Sequence, residues 1–517
     1  MMPPQQDSDP HPDRARRAAV VGSGPNGLTA ACRLARAGWE VTVHEAAAEP
    51  GGALRSGRLF SSDPTALSDL GASVHPFGAA SPAFGELDLT AHGLRWAHPQ
   101  VPLAHGLDGA PPALLHHEPD RTARGLGDDG EAWRRLMSPL IGSGDASDRG
   151  RRLLGAAMTA PGHLLRDPGG RLSADHIGAL LHRAPEVVSP LSRLVRRFDQ
   201  EPARALLAGA AAHSTAPLGL PGTAAFGLLF ALAAHTVGWP VVRGGSQGLV
   251  DALVSALHGA GGVVRTGEPV DDVARLRAET GADVVLCDVT PAQLLRIAGE
   301  EIAPRLRPRL RSWEPGPGIV KLDLLLDGPI PWRHAETARA GTVHLGGGHG
   351  QIIASERAVS RGILPARPFV LLAQPAAADE SRAEAGRTVC WSYAHVPAGL
   401  EGVGVVRAAR MIEQEIAAQA PGLADRILER RIWSPGELER WNPNLAGGSL
   451  SGGVPTPGQL VRRPASLTAP YRMGRGLYLC SASTPPGGGA HGMCGWGAAG
   501  QVLGDLARDG GPLRALG

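Results

Sequence analysis

The chain has 517 residues, more than one ordinary hydrophobic core accommodates, so its length predicts several domains and room for a large buried ligand. Its 51 basic and 49 acidic residues leave a formal charge of +2. So small an excess of positive charge provides no extended basic region to bind a phosphate backbone, which argues against nucleic acid as a partner. The five cysteines form no CxxC pair, so we expect no disulfides and a reducing, cytoplasmic environment. No cluster of possible ligands has the spacing of a metal site, so we expect no bound metal.

The first predicted feature is a disordered lead. Residues 1–17 are rich in Pro, Asp, Gln and Arg and lack the apolar core of a secretory signal. We therefore expect ordered structure to begin at residue 18.

The next segment predicts a nucleotide-binding strand, turn and helix. Residues 18–22 are apolar and β-branched, as in a central parallel strand, and residues 28–37 favour a helix. The turn between them holds the first predicted cofactor-binding residues, Gly22, Ser23, Gly24, Pro25, Asn26 and Gly27. Gly22 permits the tight turn, Gly24 lets the backbone approach a pyrophosphate, and Gly27 lets the helix pack on the strand. The helix N-terminus offers free amides and a positive dipole to the phosphates.

A second predicted strand, residues 39–45, ends in an acid and is followed by a glycine doublet. Glu45 lies where a carboxylate accepts both hydroxyls of an adenosine ribose. Gly51 and Gly52, with Arg55 after them, are spaced to wrap the far side of the same diphosphate. This doublet resembles the paired-glycine element of flavoproteins in the glutathione-reductase superfamily, which NAD-only Rossmann domains lack. The resemblance implies FAD as the cofactor.

A nicotinamide site would need a second fingerprint. The remaining glycine cluster, residues 346–350, has the wrong spacing, and the next strand-like run ends in the neutral Gln374. We therefore expect no NAD(P) domain.

The most apolar stretch of the chain is residues 218–237. It is interrupted by Pro221, Gly222, Gly227 and His235, and its unbroken part is shorter than the roughly 20 residues that a bilayer span needs. It predicts a buried helix or a lipid-facing surface.

Lys321 is a candidate catalytic residue. It is the only lysine of the chain and ends a strand-like apolar run that begins at Gly318. In a chain that otherwise uses arginine, a single lysine suggests a need for a compact or titratable ammonium. The alternative is an ion pair with a neighbour such as Asp323.

Near the C-terminus, residues 476–500 predict a strand, a glycine loop and a helix. Gly488, Met493 and Cys494 are predicted to contact the cofactor. The amides at the start of the helix suit the negative charge that a flavin gains near N1 and the C2 oxygen when it accepts hydride. His491, beside the loop, is the second catalytic candidate; alternatively, it caps the loop through a backbone carbonyl.

This closing segment resembles that of the phytoene desaturase-like FAD oxidoreductases, in particular the subgroup of the pyridine nucleotide-disulfide oxidoreductase domain-containing protein 2 type. Further stretches that resemble the subgroup bring the match to roughly residues 18–508; they lie at 71–78 with 81–82, 212–214, 238–240 with 244–246, 321–323 with 331–332, and 391–397. The resemblance implies an α/β fold with a Rossmann-type FAD-binding domain, of the glutathione-reductase superfamily and its amine oxidase and phytoene desaturase branch, assembled from discontinuous segments around an inserted α+β substrate domain.

The same resemblance implies the domain bounds. The FAD-binding domain takes residues 18–80, 240–300 and 465–512, and the substrate domain takes residues 81–239 and 301–464. Val270 matches the position whose backbone contacts adenine in this family.

Three functions follow from these resemblances. The first is an FAD-dependent, phytoene dehydrogenase-like oxidoreductase that moves hydride from a hydrophobic, polyene- or isoprenoid-like substrate to flavin N5, with residues 224–234 lining a channel or touching a membrane surface. The second is oxidation of a small amine, because related flavin amine oxidases carry a lysine that reaches N5 through a water, although the chain has only three tyrosines for an aromatic wall. The third is a non-catalytic partner-binding protein, as Rab GDP-dissociation inhibitors are on a related fold; the intact glycines and Glu45 argue against it. The sequence leaves the substrate, the electron acceptor, covalent flavin attachment and the oligomeric state open.

Overall fold

The computed structural model describes residues 15–142, 146–159, 184–454, 456, 458–459, 463–465 and 468–509. Most of the predicted disordered lead, residues 1–14, lies outside the described residues. The first strand begins at Arg17, one residue before the predicted start.

The strands are described first, in chain order. They are β1 (Arg17–Val21), β2 (Glu40–Glu45), β3 (Ser56–Gly57), β4 (Ser68–Asp69), β5 (Trp96–Ala97), β6 (Val101–His105), β7 (Ala113–Leu115), β8 (Val241–Val242), β9 (Val263–Thr266), β10 (Val284–Cys287), β11 (Gly318–Asp327), β12 (Ala340–Leu345), β13 (Val370–Ala373), β14 (Arg387–Val396), β15 (Ile427–Trp433), β16 (Arg472–Gly474) and β17 (Leu477–Leu479).

The α-helices are numbered in the same way. They are α1 (Pro25–Arg36), α2 (Pro76–Ala79), α3 (Pro82–Glu86), α4 (Pro119–Gly125), α5 (Gly130–Ile141), α6 (Ala146–Ala157), α7 (Leu191–Leu194), α8 (Glu201–Ala212), α9 (Thr223–Thr236), α10 (Gln247–Gly259), α11 (Val273–Thr280), α12 (Pro291–Ala298), α13 (Arg307–Arg311), α14 (His349–Val359), α15 (Val403–Gln419), α16 (Leu423–Arg426), α17 (Pro435–Trp441) and α18 (Met493–Asp509).

The first large sheet is built from both ends and the middle of the chain. Its order is β16-β17-β10-β1-β2-β9, and all neighbours are parallel except β16 and β17. Alternate residues of β1 face opposite cores: Ala18 and Val20 pack with α1, α10 and α18, whereas Ala19 and Val21 pack with α11 and α12. Helices on both faces explain why β1 and β10 are apolar at almost every position.

The second large sheet has the order β15-β11-β14-β13-β12-β6-β7 and is antiparallel except where β12 meets β6. The even-numbered residues from Val320 to Leu326 on β11 pack in the core that includes α15. The opposite face carries Trp391, Tyr393 and Trp433, and it packs against residues that follow the second glycine doublet. The period of two along β11 thus turns one face of this sheet toward the nucleotide domain.

A buried arginine connects the two parts of the molecule. The Arg382 guanidinium lies 3.0 Å from the Asp69 carboxylate on β4 and 2.9 Å from Asp379, and it donates to the Val242 carbonyl at 2.8 Å. These contacts hold the segment after the second glycine doublet against the loop that enters β14.

The apolar stretch at residues 218–237 contains α9. Most of its residues are buried, and Ala225, Phe226, Leu229 and Phe230 form a half-buried stripe. The prediction of a buried helix therefore holds for most of the stretch. Among the described residues, no helix is both long enough and apolar enough to cross a bilayer.

Candidate functional site

The glycine turn lies at the carboxyl end of β1, where α1 begins. A Cβ atom on residue 27 would lie only 2.1 Å from the Gly22 carbonyl oxygen, and one on residue 24 would lie 2.6 Å from the Asp288 Oδ2 atom. Glycine at position 27 is therefore required for the helix to start this close to the strand, and a side chain at position 24 would displace the Asp288 carboxyl group. The strand, the glycine turn and the helix follow one another directly, which is the arrangement expected of a turn that binds a pyrophosphate at a helix N-terminus.

Glu45 ends β2 beside this turn. Its Oε2 atom accepts hydrogen bonds from the Ser23 amide at 2.8 Å and the Ser23 hydroxyl at 2.6 Å, and its Oε1 atom accepts from the Ala47 amide at 2.8 Å. The carboxylate thus fixes the turn as well as lying where an adenosine ribose is predicted. The loop after β9 that carries the half-buried Val270 is joined to the same strand end, since the Glu268 amide donates to the Glu45 carbonyl at 2.9 Å.

The second glycine doublet packs directly on the first turn. The Gly51 amide donates to the Ser23 carbonyl at 3.1 Å, and a Cβ atom on residue 52 would lie 3.2 Å from the Gly24 Cα atom. Arg55 follows, with its guanidinium 4.9 Å from the Trp441 ring centroid and donating to the Trp441 carbonyl at 3.2 Å. The two predicted glycine elements therefore form one cradle.

The C-terminal segment reaches the same place from the other end of the chain. A Cβ atom on residue 495 would lie 1.8 Å from the Asn26 carbonyl oxygen, so α18 packs backbone to backbone against the start of α1. Arg33 on α1 donates to the Trp496 carbonyl at 2.6 Å and stacks over the Trp496 ring. Gly488 lies in the loop before α18, against the backbone of Ser451.

His491 is engaged by the loop that carries it. Its Nδ1 atom accepts from the Met493 amide at 3.1 Å, and its ring also hydrogen-bonds to the Gly488 backbone. Burial lowers the pKa of His491 to about 4, so the ring is neutral near pH 7. This arrangement is typical of a residue that shapes the loop. The hydrogen bond to His491 engages the Met493 amide. The next amides at the start of α18 have no hydrogen-bond partner inside the helix.

Cys494 is a buried thiol at the start of α18. It donates to the Gly487 carbonyl at 3.3 Å and to the Thr484 carbonyl at 3.4 Å. Burial raises the pKa of the Cys494 thiol to about 11. A thiol that stays protonated is a weak nucleophile, which argues against covalent flavin attachment through Cys494.

Lys321 lies on the face of the second sheet that is turned toward the nucleotide domain. Its ammonium is 2.5 Å from Asp323 Oδ2, which also accepts from the Trp433 indole at 2.9 Å. The two side chains are 2% and 0% exposed, and the ammonium lies 5.3 Å from the Trp391 ring centroid. Burial raises the pKa of Asp323, against the lowering influence of Lys321. The ion pair foreseen as the alternative role of Lys321 is present.

Sequence reasoning missed two residues of this site. Asp288, just after β10, lies in none of the predicted cofactor-binding motifs, yet its Oδ2 atom accepts from the Gly27 amide at 3.0 Å. Asn444, which no motif indicated, donates from its side chain to the Asp288 carbonyl at 2.7 Å. The signal for Asp288 is topological: β10 is the parallel neighbour of β1, so their carboxyl ends lie side by side.

These residues fit a flavin nucleotide. A Cβ atom on residue 24 would meet the Asp288 carboxyl group at 2.6 Å, and one on residue 52 would lie 3.2 Å from the Gly24 Cα atom, so neither glycine has room for a side chain. Glu45 is hydrogen-bonded to Ser23 in the same turn. One feature opposes a diphosphate, namely the pair of carboxylates Glu45 and Asp288 at the start of α1.

Comparisons with known proteins agree with this architecture. A family described as an NAD(P)-binding Rossmann-like domain matches residues 20–87, although that description names a different dinucleotide from the predicted FAD. The chain is 27% identical over 377 residues to the pyridine nucleotide-disulfide oxidoreductase domain-containing protein 2 of Mus musculus, a match that covers 64% of this chain and 63% of the relative, less than two thirds of its length. The protein of the same name from Rattus norvegicus is 27% identical over 569 aligned residues, covering 95% of this chain and 93% of the relative.

Solved structures show the same fold at low identity. Putrescine oxidase bound to putrescine is similar with a TM-score of 0.60 and 17% identity, covering 96% of this chain and 99% of that one. Cyclohexylamine oxidase from Brevibacterium oxydans is similar with a TM-score of 0.55 and 14% identity, again covering 96% and 99%. An oxidoreductase from Methanosarcina mazei is similar with a TM-score of 0.56 and 15% identity, covering 94% and 100%.

The predicted mixed α/β fold with a Rossmann-like nucleotide domain is confirmed. The relatives and structural neighbours are oxidoreductases, which confirms the predicted enzyme class at that level.

Proposed function

We propose that this chain is an FAD-dependent oxidoreductase that takes hydride from a hydrophobic substrate of the polyene or isoprenoid kind. The main support for the proposal is that segments from both ends of the chain meet at one site. The turn at Gly24, the doublet at Gly52 and the start of α18 surround this site. The flavin amine oxidase neighbours, which share this arrangement of domains, support FAD as the nucleotide.

Each part of the site has a task in this proposal. FAD, when bound, would supply a hydride acceptor at N5. The amides of α1 would hold the diphosphate, and Glu45, which fixes Ser23, would hold the adenosine ribose. The Cys494 and Gly495 amides and the α18 dipole favour negative charge beside them, and His491 keeps the preceding loop in shape.

An aromatic surface that begins at the C-terminal loop supports a hydrophobic substrate. A Cβ atom on residue 489 would lie 3.3 Å from Phe77, whose ring centroid is 4.8 Å from that of Phe230 on α9. Phe230 in turn stacks on His213 at 4.4 Å and contacts Trp239 at 5.4 Å. Burial lowers the pKa of His213 to about 3, so this surface carries no charge near pH 7.

Amine oxidation is the second candidate. The aromatic residues Trp391, Tyr393 and Trp433 beside Lys321 favour it, as do the named amine oxidase neighbours. The Lys321–Asp323 pair opposes it, because the Asp323 carboxylate is already neutralised and leaves no net negative charge to hold a substrate ammonium.

The test begins with the purified chain incubated with excess FAD. We expect a yellow protein that retains about one FAD per chain after gel filtration. Anaerobic addition of polyenes and isoprenoids in detergent or vesicles should bleach the flavin, and a panel of primary amines should not. A folded chain that retains no FAD refutes the proposal, and bleaching by amines alone replaces it with the second candidate.

A further inference from the structure

Asp288 lies at the point of the nucleotide site where the phosphates are expected. Its side chain is 5% exposed, and its Oδ2 atom accepts from the Gly27 amide in the first turn of α1. The same oxygen would lie 2.6 Å from a Cβ atom on residue 24, so the carboxyl group fills the space beside Gly24. A diphosphate held by the α1 amides would therefore lie next to this carboxyl group.

The surroundings of Asp288 contain little to balance a negative charge. From β2 it faces the Glu45 carboxylate, and from α1 a single amide. Within the described part of the chain, the remaining titratable neighbours are three buried thiols, Cys287, Cys480 and Cys494, whose pKa values burial raises, so that they stay neutral. Asn444 contributes a neutral amide, and Arg55 interacts with Glu45 and Glu49 instead.

We propose that Asp288 is a proton-carrying residue of the cofactor site, which takes up one proton from solvent when FAD binds. The inference rests on the proposed function in that the nucleotide is FAD. The carboxylate becomes a neutral carboxylic acid, so two negative groups no longer compete for the amides of α1. The acid can then donate its proton to an oxygen of the ligand.

The direction in which FAD affinity changes with pH follows from the coupling between FAD binding and protonation of Asp288. Burial, and secondarily Glu45, raises the pKa of Asp288 to about 7 in the free protein, while the Gly27 amide lowers it. An adjacent diphosphate raises the Asp288 pKa further, because like charges oppose ionisation. FAD affinity is therefore greatest below about pH 7, where Asp288 is already protonated, and falls by up to about tenfold per pH unit between the free and the bound pKa.

The experiment compares FAD binding by the wild-type chain and the Asp288→Asn variant. Flavin fluorescence quenching gives the Kd between about pH 6 and about pH 9, a range that spans the pKa of Asp288 in the free protein. We expect the wild-type Kd to rise at least about tenfold across this range and the Asp288→Asn Kd to stay low and nearly constant. Asn keeps the shape of the side chain and cannot ionise.

The matched control is Asp283→Asn. Asp283 precedes the amino end of the same strand, is exposed, and accepts from the Arg17 amide at 2.8 Å. This variant should keep the wild-type pH dependence.

A second measurement needs no variant. Calorimetry of FAD binding at about pH 8, in two buffers with different ionisation enthalpies, should report uptake of close to one proton per FAD by the wild-type chain. No proton uptake, or the same pH slope in wild type and Asp288→Asn, overturns the inference. A chain that binds no FAD at any pH refutes the proposed function instead.

Discussion

Gly27 packs directly against the Gly22 carbonyl oxygen in the nucleotide site. Backbone meets backbone there, so a clash cannot be relieved by a side-chain rotation. The same is true where Gly495 meets the Asn26 carbonyl. These contacts determine how close α1 comes to β1 and how close α18 comes to α1. They therefore also set the direction of the N-terminal amides that have no partner within either helix.

We expect Gly27→Ala to abolish FAD binding. The added Cβ atom, 2.1 Å from the Gly22 oxygen, must displace the first turn of α1 and costs at least about 1 to 3 kcal/mol of stability. FAD retention after gel filtration and the urea unfolding midpoint measure the two effects. Gly350→Ala is the control, because a Cβ atom at that helical position meets nothing within 4 Å. Unchanged FAD retention in Gly27→Ala would contradict this account of the turn.

Strand β11 carries a buried ion pair on the face opposite its apolar core. Lys321 and Asp323 are two residues apart, so the pleat places both on the side of Trp391 and Trp433. A buried charge left without its partner is costly, whereas removal of both charges is often tolerated. Variants of the ion pair on β11 can therefore separate a structural role of Lys321 from a catalytic one.

We expect Lys321→Met to lower the free energy of unfolding by about 3 to 5 kcal/mol, because it leaves Asp323 buried and unpaired. The double variant Lys321→Met with Asp323→Leu should recover most of this loss in chemical denaturation. If Lys321 acts only in the ion pair, the double variant also recovers the anaerobic rate of flavin reduction by substrate. A stable double variant that reduces its flavin at least about tenfold more slowly would assign Lys321 a role at the reaction centre.

The molecule as a whole buries an unusual set of neutral histidines. Burial lowers the pKa to about 4 for His75, His105, His235 and His491 and to about 3 for His213. These residues are spread over the molecule, since they lie before α2, on β6, after α8, on α9 and in the loop before α18. Protonation of these histidines is therefore expected to destabilise the whole fold and not one part of it.

We expect the stability to fall steeply in mild acid. Each of these histidines has a folded pKa below its unfolded value of about 6.5, so its contribution is present above about pH 6.5 and is lost as the pH falls toward the folded pKa. The loss is about 2 kcal/mol per fully buried histidine at about pH 5. Urea unfolding at about pH 7.5 and about pH 5 measures it, and equal stability at both values would show that the histidines are accessible to protons in the folded state.

The nucleotide fold could be predicted from local patterns because each of its signals lies within a short stretch of chain. The β1 run, the glycines of the turn and Glu45 are close in sequence, and their geometry follows from backbone sterics and strand period. The residues that the sequence did not reveal are brought in by long-range pairing. Asp288 joins the turn because β10 pairs with β1, and Asn444 joins because the loop after α17 reaches the carboxyl end of β10.

The amino-acid sequence by itself determined the dinucleotide-binding fold, the two distant glycine segments and the single lysine, since these depend on residue type and spacing. Only the tertiary structure decided that Lys321 is paired with Asp323, that His491 is held by its own loop, and that a second carboxylate stands at the start of α1. Burial and the distance to a charge partner set the protonation of such groups, and neither quantity exists before the chain has folded.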